Sequence, residues 1–115
     1  MINSLLTNNI YSTSEQRIGT WINGKPVYRK VIYMGAMPNN SYVEKSTGLD
    51  HSKIKLTKLT GVGYFEAAPA SGQVAIGDIY SRFQLRNSGI IRLTTTIDYT
   101  GYVAYAIIEY IKTTD

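Results

Sequence analysis

The residues whose types most directly suggest catalysis are Asp50, His51 and Ser52, which are the three residue types of a nucleophilic triad. Three consecutive residues cannot align serine, imidazole and carboxylate in a proton relay, so we interpret them as part of a polar loop. His51 is the only histidine, cysteine is absent, and no acidic loop has calcium-type spacing. We therefore expect no metal site and no cofactor, and we predict a binding or structural protein that is not an enzyme.

Two further catalytic patterns are weak. The acidic side chains are scattered, without an evident acid and base pair of the kind that glycosidases use. Gly61-Val62-Gly63 lacks the third glycine and the following helix of a phosphate-binding loop. We expect these glycines to allow a bend in a strand.

Composition and periodicity predict the elements that must position any site. The chain has 115 residues, enough for one domain with one core. Ten tyrosines, ten glycines and many β-branched residues favour strands and turns. No window has a sustained apolar period of 3.6 residues. The sequence therefore predicts an all-β fold.

Residues 17–32 predict a β-hairpin around Asn23-Gly24, the dipeptide that two-residue type I′ turns prefer. That turn places Trp21 opposite Pro26 and Gly19 opposite Tyr28. Because proline donates no hydrogen bond to a ladder, we expect the hairpin to lie at or near a sheet edge.

Two stretches carry a resemblance to a known family. Residues 11–13 (YST) and 15–30 (EQRIGTWINGKPVYRK) resemble the opening of a domain common in bacteriophage fibre and receptor-binding proteins. The end of the chain, residues 110–115 (YIKTTD), is similar to the terminus of the same domains. The resemblance implies an antiparallel, jelly-roll-like β-sandwich, trimeric, at the surface of a virion assembled in the host cytoplasm. It implies no particular receptor.

Later segments show strand patterns of different kinds. Residues 53–57 alternate, and Leu59 falls out of step, which indicates a bulge. Residues 74–86 have the cleanest two-residue period and are predicted to form one strand. Its two faces are Ile79, Ser81, Phe83 and Leu85, and Tyr80, Arg82, Gln84 and Arg86. Residues 90–97 form the next strand, with Ile91, Leu93 and Ile97 as its apolar set.

The last predicted strand, residues 102–112, is apolar on both faces. One face carries Val103, Tyr105, Ile107 and Ile111, and the other carries Tyr102, Ala104, Ala106, Ile108 and Tyr110. An uncovered second set would be a large exposed apolar patch, so something must cover it. The N-terminal arm, the long loop at 34–53 and other copies of the chain are the alternatives. We predict a homotrimer whose interface is Tyr102, Ala104, Ala106, Ile108 and Tyr110.

The net charge is +4, with the cations concentrated in residues 16–60. Attraction to an acidic polymer is one interpretation. We favour solvated strand faces and edge lysines, since neighbours such as Arg29 and Lys30 point to opposite faces of a strand. Nucleic acid is accordingly not an expected partner.

Residues 1–15 predict an N-terminal arm ahead of a single domain at 16–115. The arm has neither the basic start of a signal peptide nor the length of a membrane span. Its apolar residues Ile2, Leu5, Leu6 and Ile10 are suited to contact another copy or another virion protein, and a frayed terminus is the alternative.

Two functions remain open. The first is attachment to a host cell-surface saccharide through aromatic and polar side chains. The candidate ligand-binding residues are Trp21, Tyr42, His51, Tyr99 and Tyr102. The second is a head or tail decoration or fibre protein that stabilises or caps the particle and binds no receptor.

Overall fold

The computed structural model describes residues 10–66 and 72–115. These residues form eight strands and two short 3-10 turns, at His51–Lys53 and Asn87–Gly89. The strands are β1 (Gln16–Thr20), β2 (Pro26–Ala36), β3 (Tyr42–Ser46), β4 (Ile54–Phe65), β5 (Gln73–Ile76), β6 (Ser81–Arg86), β7 (Ile90–Thr95) and β8 (Tyr102–Lys112). The all-β prediction is confirmed.

Two antiparallel sheets share one core. The five-stranded sheet has the order β1-β2-β8-β4-β5, and the three-stranded sheet has the order β3-β7-β6. Ile32 and Met34 of β2 belong to the same buried cluster as Ile91 and Leu93 of β7. The apolar side chains of the two inner faces therefore pack against each other, as in other stacked sheets.

The central strand of the larger sheet is β8, which pairs with β2 on one side and β4 on the other. Its burial alternates, because successive side chains point to opposite faces. Ala104, Ala106, Ile108 and Tyr110 are 0% exposed and belong to the core. The residues between them are only half-buried on the outer side.

The predicted oligomer interface is therefore wrong. Ala104, Ala106, Ile108 and Tyr110 of the predicted set are covered by the three-stranded sheet of the same chain and by Met37 and Tyr99, and Tyr102 is partly buried against the same cluster. Periodicity identifies two apolar faces on this strand but does not tell which one the chain itself covers. The structure leaves the other face, with Tyr105 and Ile107, on the outside.

The region 34–53 contains more regular structure than expected. Residues 42–46 form β3, which pairs with β7 from Tyr42 to Ser46. Its partner strand is distant in sequence, so local pattern alone gave only a possible short bridge here. The predicted bulge in β4 is confirmed, since its register against β8 shifts between Leu56 and Lys58.

The Asn23-Gly24 turn forms, but its register differs from the prediction by one residue. Pro26 pairs with Thr20, and the Trp21 N–H donates to the Lys25 carbonyl at 2.8 Å. The loop is therefore three residues long, and in it only Gly24 has a positive φ, of 84°. This is the three-residue hairpin loop with a G1 bulge, in which the glycine takes the left-handed conformation. Asn-Gly suits this loop as well as the two-residue type I′ turn. The edge position is confirmed, because β1 is the outermost strand.

The predicted single strand at 74–86 is two strands in different sheets. β5 lies in the larger sheet and β6 in the smaller, with Gly77 between them at φ 131°. The Asp78 carboxylate accepts hydrogen bonds from the backbone of Tyr80 and Ser81, which fixes the turn. Ile79 is consequently 79% exposed and not part of the core. Ile97 also lies beyond its strand and is 41% exposed.

The part of the predicted arm that the structure describes follows the edge of the larger sheet. The Ser12 carbonyl accepts a hydrogen bond from the Val31 N–H at 2.9 Å. Ile10 is half-exposed, while Ile2, Leu5 and Leu6 lie outside the described residues.

Two glycines of β4 let the sheets approach each other. A Cβ at Gly61 would lie 2.3 Å from the Phe83 ring of β6 and 2.3 Å from the Tyr105 carbonyl. A Cβ at Gly63 would lie 2.7 Å from the Met37 sulfur. These glycines therefore give close contact between layers, in addition to any bend.

We predict that Gly61→Ala lowers the free energy of unfolding by about 1–3 kcal/mol, because the new methyl group overpacks the contact with Phe83. The matched control is Gly19→Ala in β1, where a Cβ meets nothing within 4 Å. Urea unfolding of both variants measures the difference. Equal stability of the two variants would contradict the packing described here.

Candidate functional site

The predicted ligand-binding residues do not form one site. Trp21 and His51 lie towards the end of the sheets where β8 finishes, whereas Tyr42, Tyr99 and Tyr102 lie towards the end where it starts. Tyr99 is only 6% exposed, and its ring packs edge-on against Tyr102 at 5.2 Å. Tyr99 is therefore a core residue. Trp21 and Tyr42 are exposed but belong to different sheets.

The Asp50-His51-Ser52 sequence forms no relay. The Asp50 carboxylate accepts hydrogen bonds from both the backbone N–H and the hydroxyl of Ser52, at 3.0 and 2.6 Å. These bonds lower the pKa of Asp50. The His51 Nδ1 instead accepts a hydrogen bond from the Ser88 N–H at 3.0 Å. The three residues thus cap a turn and join it to the turn at residues 87–89.

A polar surface covers the outside of the three-stranded sheet, and we call it the arginine face. It consists of outward residues of three paired strands: Tyr42, Glu44, Arg82, Gln84, Arg86 and Arg92. Arg92 stands between Glu44 on one side and Gln84 on the other, because the register places all three in one row. The face therefore combines guanidinium, amide, carboxylate and phenol groups.

Arg92 is held in place by two neighbours. Its Nε donates to the Glu44 carboxylate at 2.9 Å, and its guanidinium carbon lies 4.1 Å above the centre of the Tyr42 ring. The ion pair is partly exposed and contributes little to stability. The ion pair does have a geometric effect. Together with the stacking on Tyr42, it fixes the plane of the Arg92 guanidinium group.

A shallow open groove of about 420 Å³ runs over this face. Glu44, Gln84, Arg86, Asn87 and Arg92 are among its lining residues, together with the apolar Ile90. Several hydrogen-bond donors and acceptors thus converge on one surface channel. Such a lining suits a polar ligand that lies along the strands.

The outside of the five-stranded sheet is different, and we call it the tyrosine face. Its members are Val31, Tyr33, Val62, Tyr64, Tyr105 and Ile107. The Tyr105 ring lies 5.1 Å from that of Tyr33 and 6.2 Å from that of Tyr64. Tyr33 remains 50% exposed, so the face presents aromatic surface to solvent.

Tyr11 borders the tyrosine face and covers a charged pair. Its ring lies 4.1 Å from the Arg29 guanidinium carbon, and Arg29 pairs with Glu109 at 3.2 Å. The Arg29 Nη1 is buried and has no hydrogen-bond partner among the described residues. Burial of that nitrogen carries a desolvation cost.

The two stretches that carry the bacteriophage resemblance meet in space. The Glu15 carboxylate accepts hydrogen bonds from the Tyr110 hydroxyl and from the Lys112 ammonium, the latter at 2.7 Å. The Tyr28 hydroxyl donates to the Asp115 carboxylate at 2.9 Å. Lys112 also lies over the Tyr28 ring. Residues from both motifs thus form one cluster that joins Glu15 and Tyr28 to the C-terminal residues 110–115.

Burial and hydrogen bonding together set the pKa values of this cluster. Partial burial acts to raise the pKa of Glu15, but the bonds from Lys112 and Tyr110 outweigh it and lower that pKa. The bond to Glu15 raises the pKa of Lys112. Burial, together with the hydrogen bond from the Tyr110 hydroxyl to Glu15, raises the pKa of Tyr110. At neutral pH the cluster therefore holds a carboxylate, an ammonium and a neutral phenol.

No protein-family model, curated protein or solved structure matches this chain. Within residues 10–66 and 72–115, no three metal-binding side chains of the His, Cys, Asp or Glu type come together. Over the same residues, no helix has the length and apolar character to cross a membrane.

Sequence reasoning found part of the arginine face and missed the rest. The two-residue period already placed Arg82, Gln84 and Arg86 on one side of a strand. The sequence does not indicate that Arg92 and Glu44 belong to the same face. Only the register of β7 against β3 and β6 brings these two residues beside Gln84. Two arginines on the same side of one predicted strand, Arg82 and Arg86, were the available signal.

We predict that Glu15→Gln makes stability less sensitive to acid. The lowered pKa of Glu15 means that its carboxylate stabilises the fold above the ordinary Glu range, and this contribution disappears as the pH falls through the folded-state pKa. Urea unfolding from about pH 5 to pH 3 should therefore show a smaller loss of unfolding free energy in Glu15→Gln than in the parent chain.

The matched control is Glu66→Gln, which removes the same charge at the opposite end of β4 and β8. It should follow the parent acid profile. Identical profiles for Glu15→Gln and the parent would contradict the proposed role of the cluster.

Proposed function

We propose that this chain is a surface module of a bacteriophage particle that binds host cell-surface saccharide through the arginine face. The observation that carries the proposal is the groove across that face, with Glu44, Gln84, Arg86, Asn87 and Arg92 in its lining. The resemblance to fibre and receptor-binding proteins supports the particle context. Both motifs of that resemblance contribute to the cluster around Glu15.

Saccharide recognition fits the chemistry of the groove. Sugar hydroxyl groups both donate and accept hydrogen bonds, and the side-chain amides of Gln84 and Asn87 do the same. Arg92 supplies a fixed planar donor. The rigid sheet holds Gln84 and Arg92 in place without a loop having to close, and Asn87 begins the 3-10 turn directly after β6.

The strand order supports a jelly-roll-like class for the fold. β2 pairs with β8, and β3 pairs with β7, so the outer strands of the chain form nested antiparallel pairs. These two pairs belong to different sheets. Nested pairs that wind across two sheets are the arrangement of a jelly roll.

A second candidate function is assembly, and the tyrosine face favours it. In this function the chain is a head or tail decoration or fibre protein that stabilises or caps the particle. Tyr33, Tyr64 and Tyr105 present an aromatic surface of the kind that marks protein contacts. A homotrimer that packs through this face would cover it. The proposed interface is thus on the side of β8 opposite to the core.

We predict that Gln84→Ala weakens binding to saccharide about tenfold, which is the effect of losing one well-placed hydrogen bond. Fluorescently labelled protein on an array of immobilised bacterial glycans measures the affinity, and adsorption to host cells in competition with soluble glycan extends the test. Gln16→Ala in β1 is the matched control and should bind as the parent does.

Two results would overturn the saccharide proposal. One is the absence of glycan and cell binding by a folded chain that binds saturably to phage particles, which supports the assembly function. The other is glycan binding that Gln84→Ala and Gln16→Ala affect equally, because the groove would then have no special role.

For the assembly function, we predict that Tyr33→Glu converts a homotrimer into a monomer. The substitution places a charge in the aromatic surface, and Tyr33 is exposed enough for the single chain to tolerate it. Light scattering at micromolar concentration should change from three times the chain mass to 12.8 kDa. Tyr80→Glu, at a tyrosine 43% exposed outside this face, should leave the trimer intact. A 12.8 kDa parent chain would contradict the trimer.

A further inference from the structure

We infer that the ligand of the arginine face is an anionic polymer of sugar or polyol units, whose charge is phosphate or carboxylate. This inference rests on the proposed saccharide-binding function and specifies its ligand class. It comes from the charge of the face, the spacing of its arginines and the fixed position of Arg92.

The charge of the face is positive and only partly compensated. Arg82, Arg86 and Arg92 stand on it, with Glu44 as the carboxylate of the set. That carboxylate is bound to the Nε of Arg92. Arg82 and Arg86 are exposed, and neither has an ion pair with another described residue. Two guanidinium groups are therefore available to an external anion.

The three arginines are evenly spaced along the strand direction. Arg82 and Arg86 lie four residues apart on β6, which is roughly 13 Å along an extended strand. Arg92 lies in the row halfway between them, because it is paired with Gln84. Successive positive charges are thus about 7 Å apart along the strand direction. A chain with a negative group on each repeat can contact all three, whereas a single small anion cannot.

Arg92 is oriented to bind two oxygens of one anion. Of its five N–H donors, the one on Nε is used by Glu44. The four on its terminal nitrogens have no hydrogen-bond partner among the described residues. Stacking on Tyr42 keeps the guanidinium in one plane, so a phosphate or carboxylate meets a fork that is already oriented.

The other side chains favour a saccharide polymer over a nucleic acid. Single-stranded nucleic acids are bound by aromatic platforms on which bases stack. On this face the aromatic ring is Tyr42, and Arg92 already covers it. Gln84 and Asn87 instead offer amides that match hydroxyl groups.

The experiment measures binding of immobilised polymers to the full chain at low and moderate salt. The probes are poly(glycerol phosphate), polygalacturonate, neutral dextran and a single-stranded oligothymidylate. The variants are Arg82→Gln with Arg86→Gln in one chain, and Arg17→Gln as the control. Arg17 is exposed on β1, away from the face, so the control removes a charge elsewhere.

We expect the parent chain to bind at least one anionic saccharide polymer more tightly than dextran or the oligothymidylate. The double variant should lose at least tenfold in affinity for that polymer, and its affinity should depend less steeply on salt because fewer counterions are released. Arg17→Gln should lose less than threefold. The preferred anionic probe then tells whether the charge is phosphate or carboxylate.

Four results would overturn the inference. Binding of dextran or of neutral array glycans, without binding of either anionic polymer, would leave the proposed function in place and remove its anionic ligand. Failure to bind any saccharide would overturn both. Tighter binding of the oligothymidylate would assign the face to nucleic acid. Equal losses in Arg17→Gln and the double variant would show attraction to overall charge. Thermal unfolding of each variant verifies that it is folded.

Discussion

The packing of the inner face of β8 against the smaller sheet is the interaction on which the rest of this structure depends. Ala104 and Ala106 place only small side chains on that face, and Gly61 and Gly63 on the adjacent strand have no side chain at all. Phe83 and Met37 fill the space thus created. Two sheets can then approach closely over one continuous core, and Ala104, Ala106, Ile108 and Tyr110 of β8 become internal.

This packing leaves the chain with two unlike outer faces. The outside of the three-stranded sheet is polar and cationic around Arg92, while the outside of the five-stranded sheet is aromatic around Tyr105. The proposed functions use this division: a ligand is proposed on one side, and other copies on the opposite side. The cluster of Glu15, Tyr110 and Lys112 joins the segment before β1 to β8 without occupying either face.

The sequence predicted local features better than distant ones. It placed the turn at Asn23-Gly24 and the alternation from Ser81 to Arg86, because dihedral preference and side-chain period are properties of a few neighbouring residues. It misjudged which side of β8 faces the core, since that depends on strands far away in the chain. It also merged β5 and β6 into one strand, because both alternate with a two-residue period. The inward residues are Val74 and Ile76 in β5 but Ser81, Phe83 and Leu85 in β6, and the turn fixed by Asp78 separates the two strands.

The most direct test of this account is amide hydrogen exchange in Tyr33→Glu, at a concentration where the chain is a 12.8 kDa monomer. The amides to follow are those of Ala104, Ala106, Ile108 and Tyr110. If the chain covers this strand by itself, these amides exchange only through global unfolding of the monomer. If these amides exchange within seconds in the monomer and are protected only in an oligomer, the chain does not cover the inner face of β8 by itself.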